Sequence, residues 1–220
     1  MHTNRTRRTA FFFCLSLAAA LVFCGCAKPV QPPLPVGQLK LGLAYFSQPA
    51  APSDMLAGYT VEDLPRIDAK DLNGMDALFA SVLAEKSKNS FHSRESAVHC
   101  AKTVREQEGV NNNQAALRTW SAIGRCMGVD LLVVPQLFEY RERDGGSFGA
   151  VTPARVVMDI YVIDVRNESL ISRSRFDETQ TALASNLLEA NKFFKRGGQW
   201  ITAADLAREG MEKAVQDLGL

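Results

Sequence analysis

The sequence predicts an α/β fold of the α+β type: a single mixed, largely antiparallel sheet packed against helices, with a C-terminal helix. Three observations carry that prediction. Asp130 to Tyr140 is apolar on both faces at first and then alternates, the pattern of a central strand. Ala154 to Val165 and Leu170 to Asp177 follow as two strands around the turn Arg166-Asn167-Glu168-Ser169. Helical periodicity marks segments on either side of this strand group, the last of them unusually well punctuated.

Residues 1–25 read as an export signal. Arg5, Arg7 and Arg8 precede a mostly apolar run from Ala10 to Phe23, which falls short of the roughly 20 residues a helix needs to cross a bilayer. Phe23-Cys24-Gly25-Cys26 then resembles the lipobox of bacterial lipoproteins at Gly25 and Cys26 and departs from it at the two earlier positions. The resemblance implies cleavage between Gly25 and Cys26. It also implies diacylglycerol on the Cys26 sulfur, with a further acyl chain such as palmitate on the new amino terminus. Two or more chains hold a protein firmly to a membrane where one does not. In that class a second residue other than aspartate directs the protein to the outer membrane, and Ala27 fits. The expected location is therefore the periplasmic side of a membrane, outer rather than inner.

Residues 26–37 are proline-rich and predict an extended tether of roughly 30 Å, at about 3.1 Å per residue. Residues 38–220 form the single predicted domain. Loss of the signal removes three of the 25 basic residues and none of the 24 acidic ones, leaving 22 against 24. That balance argues against nucleic acid as a partner.

Leu39 to Phe46 predicts a first strand, and the long irregular segment from Ser47 to Asp68 has the length of a functional loop. Leu72 to Lys88 predicts a helix with Leu72, Met75, Phe79, Val82 and Leu83 on its apolar face and Asp71 or Asn73 as its cap. Phe91 begins a short strand or turn. Glu95 to Glu108 predicts a second helix, and Ala116, Trp120, Ile123 and Met127 mark a third that ends at Gly128. Cys100 and Cys126 lie on these two helices and either pair across them or stay as buried thiols.

Pro135 cannot donate a ladder hydrogen bond, which predicts a bulge or an unpaired side in the central strand. Arg141 to Pro153 reads as a flexible connection. In the following strand Val156, Met158, Ile160 and Val162 share a face. Arg173 and Arg175 place the next strand at an edge or facing solvent. Thr181 to Phe194 can form a helix. The last helix has Thr202 as N-cap, Asp205 at its third position and Ile201 placed to staple onto Leu206.

Gly128-Val129-Asp130 with the apolar run that follows, Asp164-Val165-Arg166-Asn167, and Trp200-Ile201-Thr202-Ala203 together resemble a family of periplasmic lipoprotein domains. It includes the curli-assembly lipoprotein, the lipoprotein activator of penicillin-binding proteins and the N-terminal domain of TolB. The resemblance spans residues 38–220 and implies the same α/β fold. Glu168 stands where that family often has a turn glycine, and the chain lacks the long hairpins a curli-type pore needs.

Nothing in the sequence predicts catalysis. Gly145-Gly146-Ser147-Phe148-Gly149 has neither the lysine of a phosphate loop nor the spacing of a nucleophile elbow. His92, His99 and Cys100 do not make a metal-ligand pattern. The expectation is a protein without enzymatic activity, cofactor or metal. It would act as an adaptor or regulator of a cell-envelope complex, held to the bilayer through Cys26 and touching an unidentified envelope protein. The candidate contact residues are Phe148, Phe176, Phe193, Phe194, Arg196 and Trp200, because aromatics with arginine form the energetic centres of interfaces. The sequence leaves a homo-oligomer open. A second reading is a small-molecule or glycan-binding lipoprotein with a pocket beneath the 47–68 loop.

Overall fold

The computed structural model describes residues 39–57, 64–108, 116–147, 149–180, 194 and 196–220, without the side chains of 107 and 108. The signal, the tether, Gly25 and Cys26 lie outside the described residues, as do Phe148, Phe193 and the segment 181–193.

Strand β1 (Leu41–Leu43) is followed by a 3-10 turn (Pro52–Asp54), helix α1 (Ala69–Lys86), the two-residue strand β2 (Phe91–His92), α2 (Arg94–Glu108) and α3 (Ala116–Met127). Then come β3 (Leu131–Arg141), β4 (Asp144–Gly146), β5 (Gly149–Thr152), β6 (Arg155–Asp164), β7 (Ser169–Thr179) and α4 (Ala203–Leu218). Five strands form one sheet in the order β2-β1-β3-β6-β7. β1 runs parallel to both β2 and β3, while the long pairings of β3 with β6 and of β6 with β7 are antiparallel. The sheet is thus mixed and mostly antiparallel by length.

Period-two alternation sends side chains to opposite faces. Val133 and Leu137 of β3 and Val156, Met158, Ile160 and Val162 of β6 enter one apolar cluster, sealed by Met75 and Phe79 of α1 and by Leu206 and Met211 of α4. Leu132, Val134, Tyr161 and Ile163 enter another beneath α2 and α3. Cover on both sides explains why β3 is buried without interruption from Leu131 to Phe138, with Gln136 its one polar side chain in that span.

Several local features differ from the sequence expectation. β1 is shorter than expected because the chain turns aside after Ala44, and the Phe46 amide donates to the Asp76 carboxylate at 2.6 Å instead of to a strand. Pro135 faces this break. Its carbonyl accepts from Ser47, the Leu137 amide reaches the Ser47 carbonyl, and its missing N–H falls where β1 has ended. The bulge in β3 lies further on, between Leu137 and Glu139. α1 starts at Ala69 and its N-cap is Asp68, so Asp71 and Asn73 sit inside the helix. The Asp68 carbonyl accepts from the amides of both Asp71 and Leu72, which fixes the first turn there.

The connection after Arg141 is not merely a loop: β4 and β5 pair antiparallel. Gly145 makes that pairing available at φ 106, where a Cβ would stand 2.5 Å from the Gly149 carbonyl oxygen. At two helix ends the expectation holds. Gly128 takes a positive φ of 69 after α3, and Thr202 with Asp205 forms a complete capping box on α4. Among the described residues no helix is long and apolar enough to cross a membrane.

Candidate functional site

The parallel part of the sheet determines where a crevice can open. From β1 the chain crosses through α1 to β2 on one side, then returns through α2 and α3 to β3 on the other. α1 packs on one face of the sheet and α2–α3 on the opposite face. The two crossovers therefore part at the C-terminal end of β1, the position where open α/β sheets receive ligands.

The segment after β1 does border hollows. A cleft of about 560 Å³ lies between the start of α1 and the outer side of α2, floored by Tyr45 and Phe46. A smaller hollow of about 250 Å³ lies toward α3 and is also lined by Tyr45. A third, of about 910 Å³, opens beneath the returning limb of the 47–68 loop. Gln48 lines all three and holds the loop: its amide donates to the Pro65 carbonyl at 2.8 Å, and its oxygen accepts from the Ile67 amide at 3.0 Å.

A part-buried ion pair forms the back of the first cleft. Asp76 of α1 accepts from Arg94 Nε at 2.6 Å as well as from Phe46, and the Arg94 guanidinium also donates to Asn73 at 2.7 Å. Burial pushes the Asp76 carboxyl above its ordinary value, and the Phe46 amide and Arg94 only partly oppose that. Burial likewise raises the Tyr45 hydroxyl, which feels Arg105 in one direction and Asp76 in the other. A further hollow of about 510 Å³ lies along α1 and β2, with Asp76 and Arg94 again among its lining.

A second polar centre lies under the same loop, on the sheet itself. Asp159 of β6 is fully buried and accepts from Arg173 at 2.7 Å and from the Tyr161 hydroxyl at 3.0 Å, with Arg175 at 3.5 Å. Opposite it in register, Gln136 of β3 donates to the Asp54 carbonyl at 2.7 Å. Arg173 and Arg175 come from β7, the last strand in the sheet order, and turn back over the sheet to a carboxylate. Buried charge held this way specifies which loop and strand meet there, and removing one partner is costly.

The sequence-predicted contact residues fall at the far end of the domain, and only some of them come together. Trp200 donates its amide to the Ser147 carbonyl at 2.8 Å and accepts on its own carbonyl from Arg143, which ties the 196–202 segment to the β4–β5 hairpin. Arg196 is almost wholly buried and grips Glu209 of α4 through two hydrogen bonds of 2.9 and 2.6 Å. Phe176 packs on the apolar core against α4, where a Cβ on Gly210 would stand 2.5 Å from its ring. Phe194 remains 65% exposed, and Val151 of β5 is 84% exposed. Gln180 joins the end of β7 to this segment, donating to the Gln199 carbonyl and accepting from the Ile201 amide.

Cys100 and Cys126 form a disulfide with sulfurs 2.08 Å apart, joining α2 to α3. Among the described residues no group of three or more His, Cys, Asp or Glu side chains could hold a metal ion. The cleft residues Arg94, Lys102 and Arg105 were missed from sequence. The usable signal was Val98, an apolar residue with Lys102 and Arg105 four and seven positions later, hence on one side of α2.

No protein-family profile matches the chain, and no curated protein is similar to it. Solved structures with a similar backbone course include a PelC dodecamer from Paraburkholderia phytofirmans, at 12% identity over 86% of this chain and 92% of that one, with a TM-score of 0.47. Another is the LpoB C-terminal domain from Salmonella enterica, at 10% identity over 64% and 83%, TM-score 0.37. Lipoprotein GNA1162 from Neisseria meningitidis is similar at 13% identity over 73% and 99%, TM-score 0.37.

Proposed function

We propose that the protein is a membrane-anchored periplasmic lipoprotein that acts without catalysis, as an adaptor or regulator of a cell-envelope complex. Gly25-Cys26 supplies the acylation site and residues 26–37 the tether. The single observation that supports export independently of the signal is the Cys100–Cys126 disulfide, a bond that persists in oxidising compartments and is rare in reducing ones. The mechanism is confinement: lipid and tether hold the domain within reach of its partner and raise effective concentration without any new contact. The exposed Phe194, and Val151 on the β4–β5 hairpin, are the contact residues this reading favours.

The crevice at the end of β1 favours a second reading, a periplasmic small-molecule or glycan-binding lipoprotein. Crosslinking in the native cell, followed by purification of the wild type beside Cys26→Ser, tests the first. An envelope protein recovered in stoichiometric amount only with the acylated form supports the tethered adaptor. Recovery of none from either form removes the adaptor reading.

A further inference from the structure

The cleft between α1 and α2 has an apolar floor and a charged rim of one sign. Tyr45, Phe46, Leu72 and Ala101 line it, with Val98 at 43% exposure on its wall. Among the described residues that line it, Arg94, Lys102 and Arg105 are the cations and Asp76 the carboxylate. Asp76 is already matched by Arg94, so Lys102 and Arg105 leave the rim positive. Both are exposed and neither has a salt-bridge partner among the described residues. A wholly solvated face would account for two exposed cations alone. It does not account for their placement on one side of α2 beside an exposed valine, over a hollow at the point where the crossovers part.

We infer that this cleft binds a small anionic amphiphile, a carboxylate or phosphate monoester carried on an apolar body. The apolar part lies over Tyr45, Phe46 and Val98, and the anion meets Lys102 and Arg105. The volume of about 560 Å³ falls in the range of small-molecule sites, roughly 300–1,000 Å³. The topology independently places a ligand here. The inference deepens the ligand-binding reading and does not rest on the adaptor one, so each can fail alone.

Isothermal titration of residues 26–220 carrying Cys26→Ser, exported behind an ordinary cleavable signal so that neither acyl chains nor residues 1–25 remain, tests it with four probes of equal tail length. Decanoate and decyl phosphate supply the two anions, decanol a neutral head and decyltrimethylammonium a cation. Saturable one-to-one binding of either anion is expected, with the better of the two identifying the head group. Decanol and the cation should bind at least about tenfold more weakly. Lys102→Glu with Arg105→Glu, and separately Val98→Asp, should each weaken the anion about tenfold or more while the thermal midpoint stays unchanged. The inference is overturned if neither anion binds, if decanol binds as tightly, or if the charge-reversed variant keeps full affinity. Crosslinking to an envelope partner is unaffected by any of these results and continues to judge the adaptor reading.

Discussion

The two faces of the sheet are held in different ways. Beneath α1 and α4 the core is a continuous apolar cluster built from alternate residues of β1, β3 and β6. The opposite face is divided between an apolar patch under α2 and α3, clamped by a disulfide, and a polar strip where Gln136 holds Asp54 and Leu56 while Asp159, with Tyr161, holds β7. Area burial secures the first face and tolerates repacking. Directional bonds secure the second, and these either all form or leave a buried charge exposed to nothing. The two hollows lined by Tyr45 border the second face or its margin, whereas the one lined by Leu43 runs along α1 and β2.

Neighbouring residues of β6 give the sharpest test of that contrast. Met158 points into the apolar face and Asp159 into the polar one, both essentially inaccessible. Asp159→Ala leaves two arginines without their buried carboxylate and should cost about 3–5 kcal/mol. Met158→Ala should cost about 2–4 kcal/mol through lost burial and a cavity. Urea unfolding of both variants checks the order, and an Asp159→Ala cost below that of Met158→Ala would break the contrast.

Removing the clamp comes next. Cys100→Ser with Cys126→Ser frees a loop with a sequence separation of 26, and chain entropy puts the loss at about 3.5 kcal/mol. A melt of the double variant beside the wild type measures it. Because the loss acts on the unfolded chain, hydrogen-exchange protection should fall by a similar amount wherever exchange requires global unfolding, α4 included.

Asp76 lies at the margin between the faces. Asp76→Ala strips acceptors from the Phe46 amide and from Arg94 and should cost about 2–3 kcal/mol. Its pH dependence runs opposite to that of an ordinary ion-paired carboxylate. Burial raises its folded-state pKa, so the folded protein binds this proton more tightly than the unfolded chain does. The group's contribution is therefore full below the unfolded-state value and falls as pH rises toward the folded-state one. An NMR titration of the Asp76 carboxyl should give a midpoint above the usual aspartate value, and a midpoint below it would reverse the sign.

The smallest effect belongs to the turn between β6 and β7. Glu168 sits at φ 48, a conformation that suits glycine, and makes an exposed ion pair with Arg125 at 2.8 Å. Relief of the left-handed strain exceeds the loss of a surface pair, so Glu168→Gly should stabilise by about 0.5–1 kcal/mol. Thermal unfolding resolves a shift of that size.

How much of this was readable follows the same division. The apolar face announces itself through periodicity: Val156, Met158, Ile160 and Val162 are an alternating set, and α4 carries its own punctuation in Thr202 and Asp205. The polar strip did not, because Asp159 gains its meaning only when register brings Arg173 and Arg175 alongside it. From sequence the two arginines pointed to an edge or to solvent, and β7 is indeed the edge strand, but their shared carboxylate was not visible. The same limit hid the cleft. Asp76 lies among apolar residues of α1 as one more helical carboxylate until the chain after β1 delivers the Phe46 amide to it. Arg196 looked like an interface arginine because its partner Glu209 is thirteen residues away on another element. The β4–β5 pair was missed because a glycine-rich stretch has no periodicity to read.

Intact-mass measurement of the protein purified from its own membranes tests the central claim most directly, that this is an exported, acylated, oxidised domain. The account predicts a chain beginning at Cys26, carrying diacylglycerol on its sulfur and a further acyl chain on its amine, with Cys100 and Cys126 closed to alkylation until reduced. A chain that retains residues 1–25, with every cysteine open to alkylation, would contradict it.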